Sequence, residues 1–354
     1  MTRIIKPNND YLFALSTPHG IMQHTMFNLP DPEHGYSTDD NARALIVANL
    51  WKNTDLKKKK LLRNLETGYL RFLKFARDES SSQFYCYISF DLHKKELGLG
   101  DWYGRSAFAL AYLAYYSKLF EKVAWEMTQK TLPLIFNKEF SIRTKAFLIL
   151  ALYYILKKNE TKRIFRNGEL DRYRKVLKMW RDDLKKQAKA NFSDKWHWPE
   201  KMITYDNGKV IQAYLILGDL LKDHELTSLG RQMLEFYTHA IFKKDFFQFP
   251  GNKNFWSKGE KMPVYDEQAV ESYSMTAALI TAYKLFKDKK YLKQAKIAYN
   301  WFWGQNRLKK TLVDKASGAV YDGLMKKQIN DNQGAESYLA LNLAYFALTK
   351  KIHL

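Results

Sequence analysis

Six long apolar segments recur along the chain, and each opens with a short polar motif. In chain order the motifs begin at Thr38-Asp39-Asp40-Asn41, Gly100-Asp101-Trp102-Tyr103, Ser141-Ile142-Arg143-Thr144, Thr204-Tyr205-Asp206-Asn207, Tyr265-Asp266-Glu267-Gln268 and Asp331-Asn332-Gln333-Gly334. They lead into runs such as ALIVANLW, SAFALAYLAYY and VIQAYLILGDLL. A helix that is apolar around most of its circumference has to be buried on nearly all sides. Between these runs lie amphipathic stretches with one charged face, at roughly 61–78, 121–137, 171–190, 224–242 and 289–306. A buried helix alternating with a half-buried one predicts an inner ring and an outer ring. The expected fold is therefore an all-α, six-hairpin (α/α)6 toroid. Start-to-start spacing of about 59 residues leaves room for two helices and a functional loop per hairpin.

The pattern gives six inner helices but only five clear outer ones. The residues before Thr38 carry Pro7, Pro18, Pro30 and Pro32 and do not read as a helix, so the toroid is expected to lack one outer helix. Short strands are expected in the loops, over 20–28 and over 84–91, the second alternating apolar residues on its way to Asp101. Residues 245–264 read as a long aromatic loop leading into the fifth motif. The reading expects residues 1–354 to form a single domain.

Composition narrows the partners. Lys and Arg total 58 against 37 Asp and Glu, for a net charge of +21. A nucleic-acid surface would gather that charge into a stripe. Here the lysine runs are scattered from Lys57 to Lys351, as on a solvated surface, so no nucleic-acid partner is expected. No apolar run is long enough to cross a bilayer. The first ten residues show no apolar stretch followed by a cleavage site, so the expected location is the cytoplasm. The single cysteine, Cys86, cannot form an intrachain disulfide and reads as a small buried residue. No histidine pair has zinc-binding spacing, and phosphate-binding glycine loops are absent. Neither a metal nor a cofactor is expected.

Inner helices of a toroid run parallel, so the six motifs should meet on one face. Asp and Asn at a helix start also cap it and suit its positive dipole end. One cap needs one short polar residue, whereas these clusters hold Trp, Tyr, Arg, Gln and paired acids. Aromatic rings stack on sugar faces, and sugar hydroxyls call for acids, amides and arginines. Glycosidic cleavage needs one carboxylic acid to protonate the leaving oxygen and a second carboxylate to activate water or attack the anomeric carbon. Asp101 is expected to be the acid, with Asp40 or Asp266 as its base. Expected substrate-binding residues are His24, Asp39, Arg43, Trp102, Arg105, Trp198, Glu200, Tyr205, Asp206, Asn207, Tyr265, Glu267, Gln268, Gln333 and Glu336. For Asp39 and Asp40 a capping and ion-pairing role stays open, since Asp40 and Arg43 stand three residues apart. A metal–diphosphate site is disfavoured, because the run DDNAR puts a base where a third acid would be needed. No histidine falls within a predicted inner helix. That counts against sugar epimerases of this architecture, which use inner-ring histidines as acid and base.

The segments GIMQHTMFNLPDPEHGYSTDDNARALI, DWYGRSAFALA, WHWPEKMITYDNGKVIQA, YDEQAVES and NQGAESYLAL together resemble a family of six-hairpin glycosidase-like proteins. Its members occur alone or joined to a glycosyltransferase domain, often beside mannoside phosphorylase genes. The likeness covers about residues 19–345. It implies an (α/α)6 toroid with a role in glycan metabolism, on mannosides in particular. The sequence departs from the family at Trp102-Tyr103, where smaller residues are expected before Gly-Arg. It departs again at Gly208-Lys209, where Ala-Arg is expected. The function expected is an inverting glycoside hydrolase acting on an oligosaccharide. The alternative is a non-catalytic glycan-binding accessory module. A second copy of the chain or a glycosyltransferase is the expected protein partner.

Overall fold

A computed structural model describes residues 4–162 and 168–354. They fall into two compact units, Asn9–Leu177 and Lys178–Leu354, the second joined by residues 4–8.

In the first unit a five-residue helix, α1 (Asp10–Ala14), precedes α2 (Thr38–Lys52), α3 (Lys59–Ala76), α4 (Asp101–Tyr116), α5 (Glu121–Thr131) and α6 (Ile142–Lys162). Helices α2, α4 and α6 are buried along most of their length, as their apolar sequences require. Helix α3 buries one face: the stripe Leu62, Glu66, Tyr69, Leu73 and Ala76 recurs every three or four residues, with Leu70 and Phe72 buried beside it. Helix α4 packs on α2, α5 and α6, and α2 packs on α3. Two charged groups lie inside the α2–α3 contact, where Lys52 pairs with Glu66. Asn49 donates to the other oxygen of Glu66 at 2.7 Å. Truncating one partner of such a buried pair costs ~3–5 kcal/mol, because it strands the other charge. Helix α5 stops short of the expected 121–137, and residues Leu132–Phe136 continue as a 3-10 turn. Pro133 has no N–H to carry the α-helix on.

Before α4 a three-stranded antiparallel sheet orders Tyr36–Ser37, Phe84–Ile88 and Lys94–Gly98. The strand foreseen over 84–91 is its centre. Cys86 there is buried, and burial pushes its thiol up to about 12. A thiol held that high is not a nucleophile near neutral pH. The strand foreseen over 20–28 is instead two short ones, Gly20–Ile21 and Thr25–Met26, in separate ribbons. The first pairs back on Ser16–Thr17 and the second on Leu29–Pro30, the chain turning at Phe27, whose φ is 57°.

In the second unit α7 (Glu169–Asn191), most of whose residues belong there, leads to α8 (Asn207–Leu221), α9 (His224–Ile241), α10 (Ala269–Phe286), α11 (Lys289–Asn300) and α12 (Ala335–Lys350). Helix α10 packs between α8 and α12, while α9 flanks α8 and α11 flanks α10. The α8–α10 approach explains one departure from the family pattern. A Cβ at Gly208 would stand 2.2 Å from the carbonyl of Ser274, so the alanine expected there does not fit. Lys209 is also buried, with its ammonium 4.2 Å from the Tyr273 ring centroid and bonded to Gln212 and to the carbonyl of Leu354. The extended residues 4–8 are held by Tyr338, whose hydroxyl donates to the carbonyl of Asn8 at 3.2 Å, and by Tyr299, which donates to that of Ile5.

Among the described residues there are thus six buried helices and five long flanking ones. Only the short α1 precedes α2. None of the described helices is long and apolar enough to cross a membrane.

Candidate active site

In the first unit the beginnings of α2, α4 and α6 are tied together by their polar motifs. Ser37 caps α2: its hydroxyl oxygen accepts from the Asp40 N–H at 3.0 Å and donates to the Asp40 carboxylate at 2.8 Å. Ser141 caps α6, accepting from the Thr144 N–H at 3.0 Å. At α2 this corrects the expectation that a motif Asp or Asn is the cap. A preceding serine reaches the orphan N–H, and the acids sit in the first turn, still at the positive end of the dipole. Arg43 donates to the second Asp40 oxygen at 2.8 Å, the ion pair foreseen from the three-residue spacing. Arg105 of α4 donates to Asp39 of α2 at 2.8 Å and lies over the Phe147 ring of α6 at 4.4 Å. Asp101, the first residue of α4, is 9% exposed and accepts from the Thr144 hydroxyl at 3.1 Å. Trp102 donates its indole N–H to the Phe84 carbonyl at 2.8 Å, and its ring fills the space a side chain on Gly100 would need. His24 is exposed on the loop between the two short strands, its ring 4.8 Å from that of His34.

In the second unit the start of α8 meets the first turn of α10. Asp206 is buried in a left-handed conformation (φ 51°), and its backbone N–H donates to Glu271. The Asn207 amide and the Tyr237 hydroxyl both donate to the other Glu271 oxygen at 3.1 Å. Burial, with the Asp206 carboxylate beside it, pushes Glu271 up to about 7. The sequence reading did not single out Glu271. The available signal was a lone acid inside the apolar run AVESYSMTAAL.

Glu267 is completely buried and serves as a brace. It accepts from the Phe249 N–H at 3.1 Å, the Trp301 indole at 3.2 Å and Arg307 at 3.1 Å. Burial pushes it up to about 7 against those three donors. Arg307 also donates to the carbonyls of Met325 and Lys326 at 2.6 and 2.8 Å, so one ion pair fastens three loops. The aromatic loop 245–264 is folded tightly against the fifth motif. The Gly251 N–H donates to Pro263, and a Cβ on Gly251 would lie 1.8 Å from the Tyr265 carbonyl oxygen. Asp266 follows at the end of this loop. Its Oδ1 has no hydrogen-bond partner, and Lys253 stands 3.7 Å from its carboxylate. Tyr265 has the Arg307 guanidinium 4.9 Å from its ring centroid and the Lys326 ammonium at 5.9 Å.

The remaining expected residues are more scattered. Trp198 is fully buried, with its ring centroid 5.9 Å from that of Tyr237, so its faces are taken up by packing. Tyr205 is 42% exposed. Glu200 is half-buried, and its carbonyl accepts from the Trp196 indole. Gln268 is half-buried in a two-stranded pairing with Gly323. Gln333 is buried just before α12, and Glu336 is half-buried in its first turn. The start of α12 is fastened by Asp322, another residue the sequence reading missed. It accepts from the Gly334 N–H at 2.9 Å and the Ser337 hydroxyl at 3.0 Å.

Comparison with solved structures places this framework. A D-mannose isomerase superposes over 97% of this chain and 95% of its own, with a TM-score of 0.72 and 14% identity. The fold is the (α/α)6 toroid. A cellobiose 2-epimerase from Bacillus thermoamylovorans matches over 97% of this chain and 95% of its own, with a TM-score of 0.68 and 13% identity. A family 76 glycoside hydrolase from a bovine Bacteroides thetaiotaomicron strain covers 96% of this chain and 76% of its own, with a TM-score of 0.61 and 12% identity. No protein-family model and no curated protein sequence matches the chain. At these identities the likeness carries the fold alone.

Proposed function

We propose that the chain is a sugar-processing enzyme, and more narrowly a glycoside hydrolase acting on an oligosaccharide by paired-carboxylate catalysis. The observation that supports it most is the acid content of the helix starts. Asp39, Asp40 and Asp101 lie in first turns, held by arginines and hydroxyls, and Asp266 lies in the run-in to α10. In this reading Asp101 is the general acid that delivers a proton to the glycosidic oxygen as the C–O bond breaks. A second carboxylate takes a proton from the water that attacks the anomeric carbon, and the product is inverted. Asp40 or Asp266 is the candidate base: Ser37 and Arg43 engage both Asp40 oxygens, and the Asp266 Oδ1 is buried without a hydrogen-bond partner. Asp39, Arg43 and Arg105 would hold sugar hydroxyls. Residues 1–354 act as one domain in this reading, and mannosides are the substrate suggested by the family resemblance.

A second reading, a sugar epimerase or isomerase, is favoured by the higher TM-scores of those structures, 0.72 and 0.68 against 0.61. Against it, all eight histidines lie outside the six buried helices. Incubation with manno- and gluco-oligosaccharides in D2O separates the two. Hydrolysis shortens the chain and leaves C2–H intact. Epimerisation keeps the chain length and exchanges deuterium into C2. Binding without either change would favour the accessory-module reading and sink the hydrolase.

A further inference from the structure

The outer wall of the second unit carries a groove of about 420 Å³ running along α9 toward the start of α11. That volume lies in the range of roughly 300–1,000 Å³ usual for small-molecule sites. None of its lining residues belongs to the motifs at the helix starts. Its centre is Glu235, which accepts from Lys290 at 2.9 Å and from the Tyr291 hydroxyl at 2.7 Å, with Arg231 at 3.8 Å. Lys290 also has Asp288 at 3.8 Å. Counting Asp288, which flanks the groove beside Lys290, two cations stand against two carboxylates, and the groove is rich in donors and acceptors. An anion would have to displace Glu235 from its partners. A polyol can bridge the same groups without breaking the ion pairs. Gln232 adds an exposed amide. Phe236 gives an apolar ring, backed by Trp256 at 5.9 Å in a stacked arrangement and edged by His197 at 6.1 Å. Paired polar groups beside a supported aromatic ring suit a neutral sugar chain: hydrogen bonds for its hydroxyls and a flat surface for its C–H face.

We propose that this groove, formed by Arg231, Gln232, Glu235, Phe236 and Lys290, is a non-catalytic subsite that holds a neutral oligosaccharide on the outer wall. The proposal rests on the reading of the chain as a glycan-processing protein. It assigns α9 a role in gripping long substrates that the acids at the helix starts do not have.

The test is calorimetric titration of mannohexaose and cellohexaose into the parent protein, Gln232→Ala and Phe236→Ala, with the corresponding disaccharides and inorganic phosphate as further probes. Gln232 is exposed, so its truncation leaves folding intact. Loss of one sugar hydrogen bond, at ~1 kcal/mol, is about fivefold in Kd. The expected result is a hexaose affinity about fivefold weaker in Gln232→Ala and weaker still in Phe236→Ala, with disaccharide turnover unchanged. Hexaose binding that is identical in parent and both variants would overturn the groove while leaving the glycan reading in place. Failure of the parent to bind any oligosaccharide overturns both. Phosphate binding that is lost in Arg231→Gln, with no hexaose effect, also overturns it, because the groove would then be an anion site.

Discussion

Two buried carboxyls in the second unit make its stability depend on pH in an unusual direction. Burial pushes both Glu267 and Glu271 up to about 7, from an ordinary 4.5. The folded chain therefore keeps protons that the unfolded chain releases between those values. Stability is fully present below pH 4.5, falls as pH rises, and levels off above 7. At ~1.4 kcal/mol per pH unit, the stretch from 4.5 to 7 is worth ~3 kcal/mol per carboxyl. Between pH 5.5 and 7.5 each group should lose ~2 kcal/mol, a large fraction of the ~5–15 kcal/mol that holds a typical domain together. Glu271→Gln keeps the shape and removes one of the two titrations. Urea unfolding at pH 5.5, 6.5 and 7.5 should show parent stability falling by ~3–4 kcal/mol, and the variant by about half as much. The slope is the readout, because the amide also alters the bonds from Asn207 and Tyr237. A parent stability that is flat or rises across this window would refute the reasoning, as would an identical slope in the variant.

Trp198→Ala removes a fully buried indole and should cost ~3–5 kcal/mol while leaving the KM of any oligosaccharide unchanged; denaturant melts and steady-state kinetics check the two halves. Gly208→Ala forces a Cβ into the Ser274 carbonyl and should destabilise by ~1–3 kcal/mol, read as a lower urea midpoint. Arg307→Ala strands Glu267 and frees two carbonyls, so proteolysis should begin in loops 245–264 and 301–326 at protease levels that leave the parent intact.

Much of the architecture was legible because burial leaves a periodic mark. Runs such as SAFALAYLAYY can only be interior helices, and the stripes through Tyr69 and Leu73 can only be flanking ones. That only the short α1 precedes Thr38 among the described residues was legible too, from four prolines. Cap identity was not, since Ser37 and Asp39 are equally good capping residues and only the local φ/ψ decides which one reaches the orphan N–H. The motif acids looked alike in sequence, yet they take different places. Asp101 and Asp39 link helix starts, Asp40 is closed by Ser37 and Arg43, and Glu267 is sealed among Phe249, Trp301 and Arg307. Those last two partners lie 34 and 40 residues away, a separation that local pattern does not encode. Glu271 escaped for the same reason: its partners come from α8 and α9, and an acid in an apolar run carries no mark of whom it meets.

The central claim is that carboxylates at the helix starts cleave a glycosidic bond. Chromatography of a manno- and gluco-oligosaccharide panel, treated with the parent protein and with Asp101→Asn under both hydrolytic and phosphorolytic conditions, tests it most directly. The account predicts shortened chains from the parent, and none above background from an Asp101→Asn protein that still melts like the parent. Undiminished cleavage by Asp101→Asn would remove Asp101 from the catalytic pair, and intact chains from both proteins would contradict the hydrolase itself.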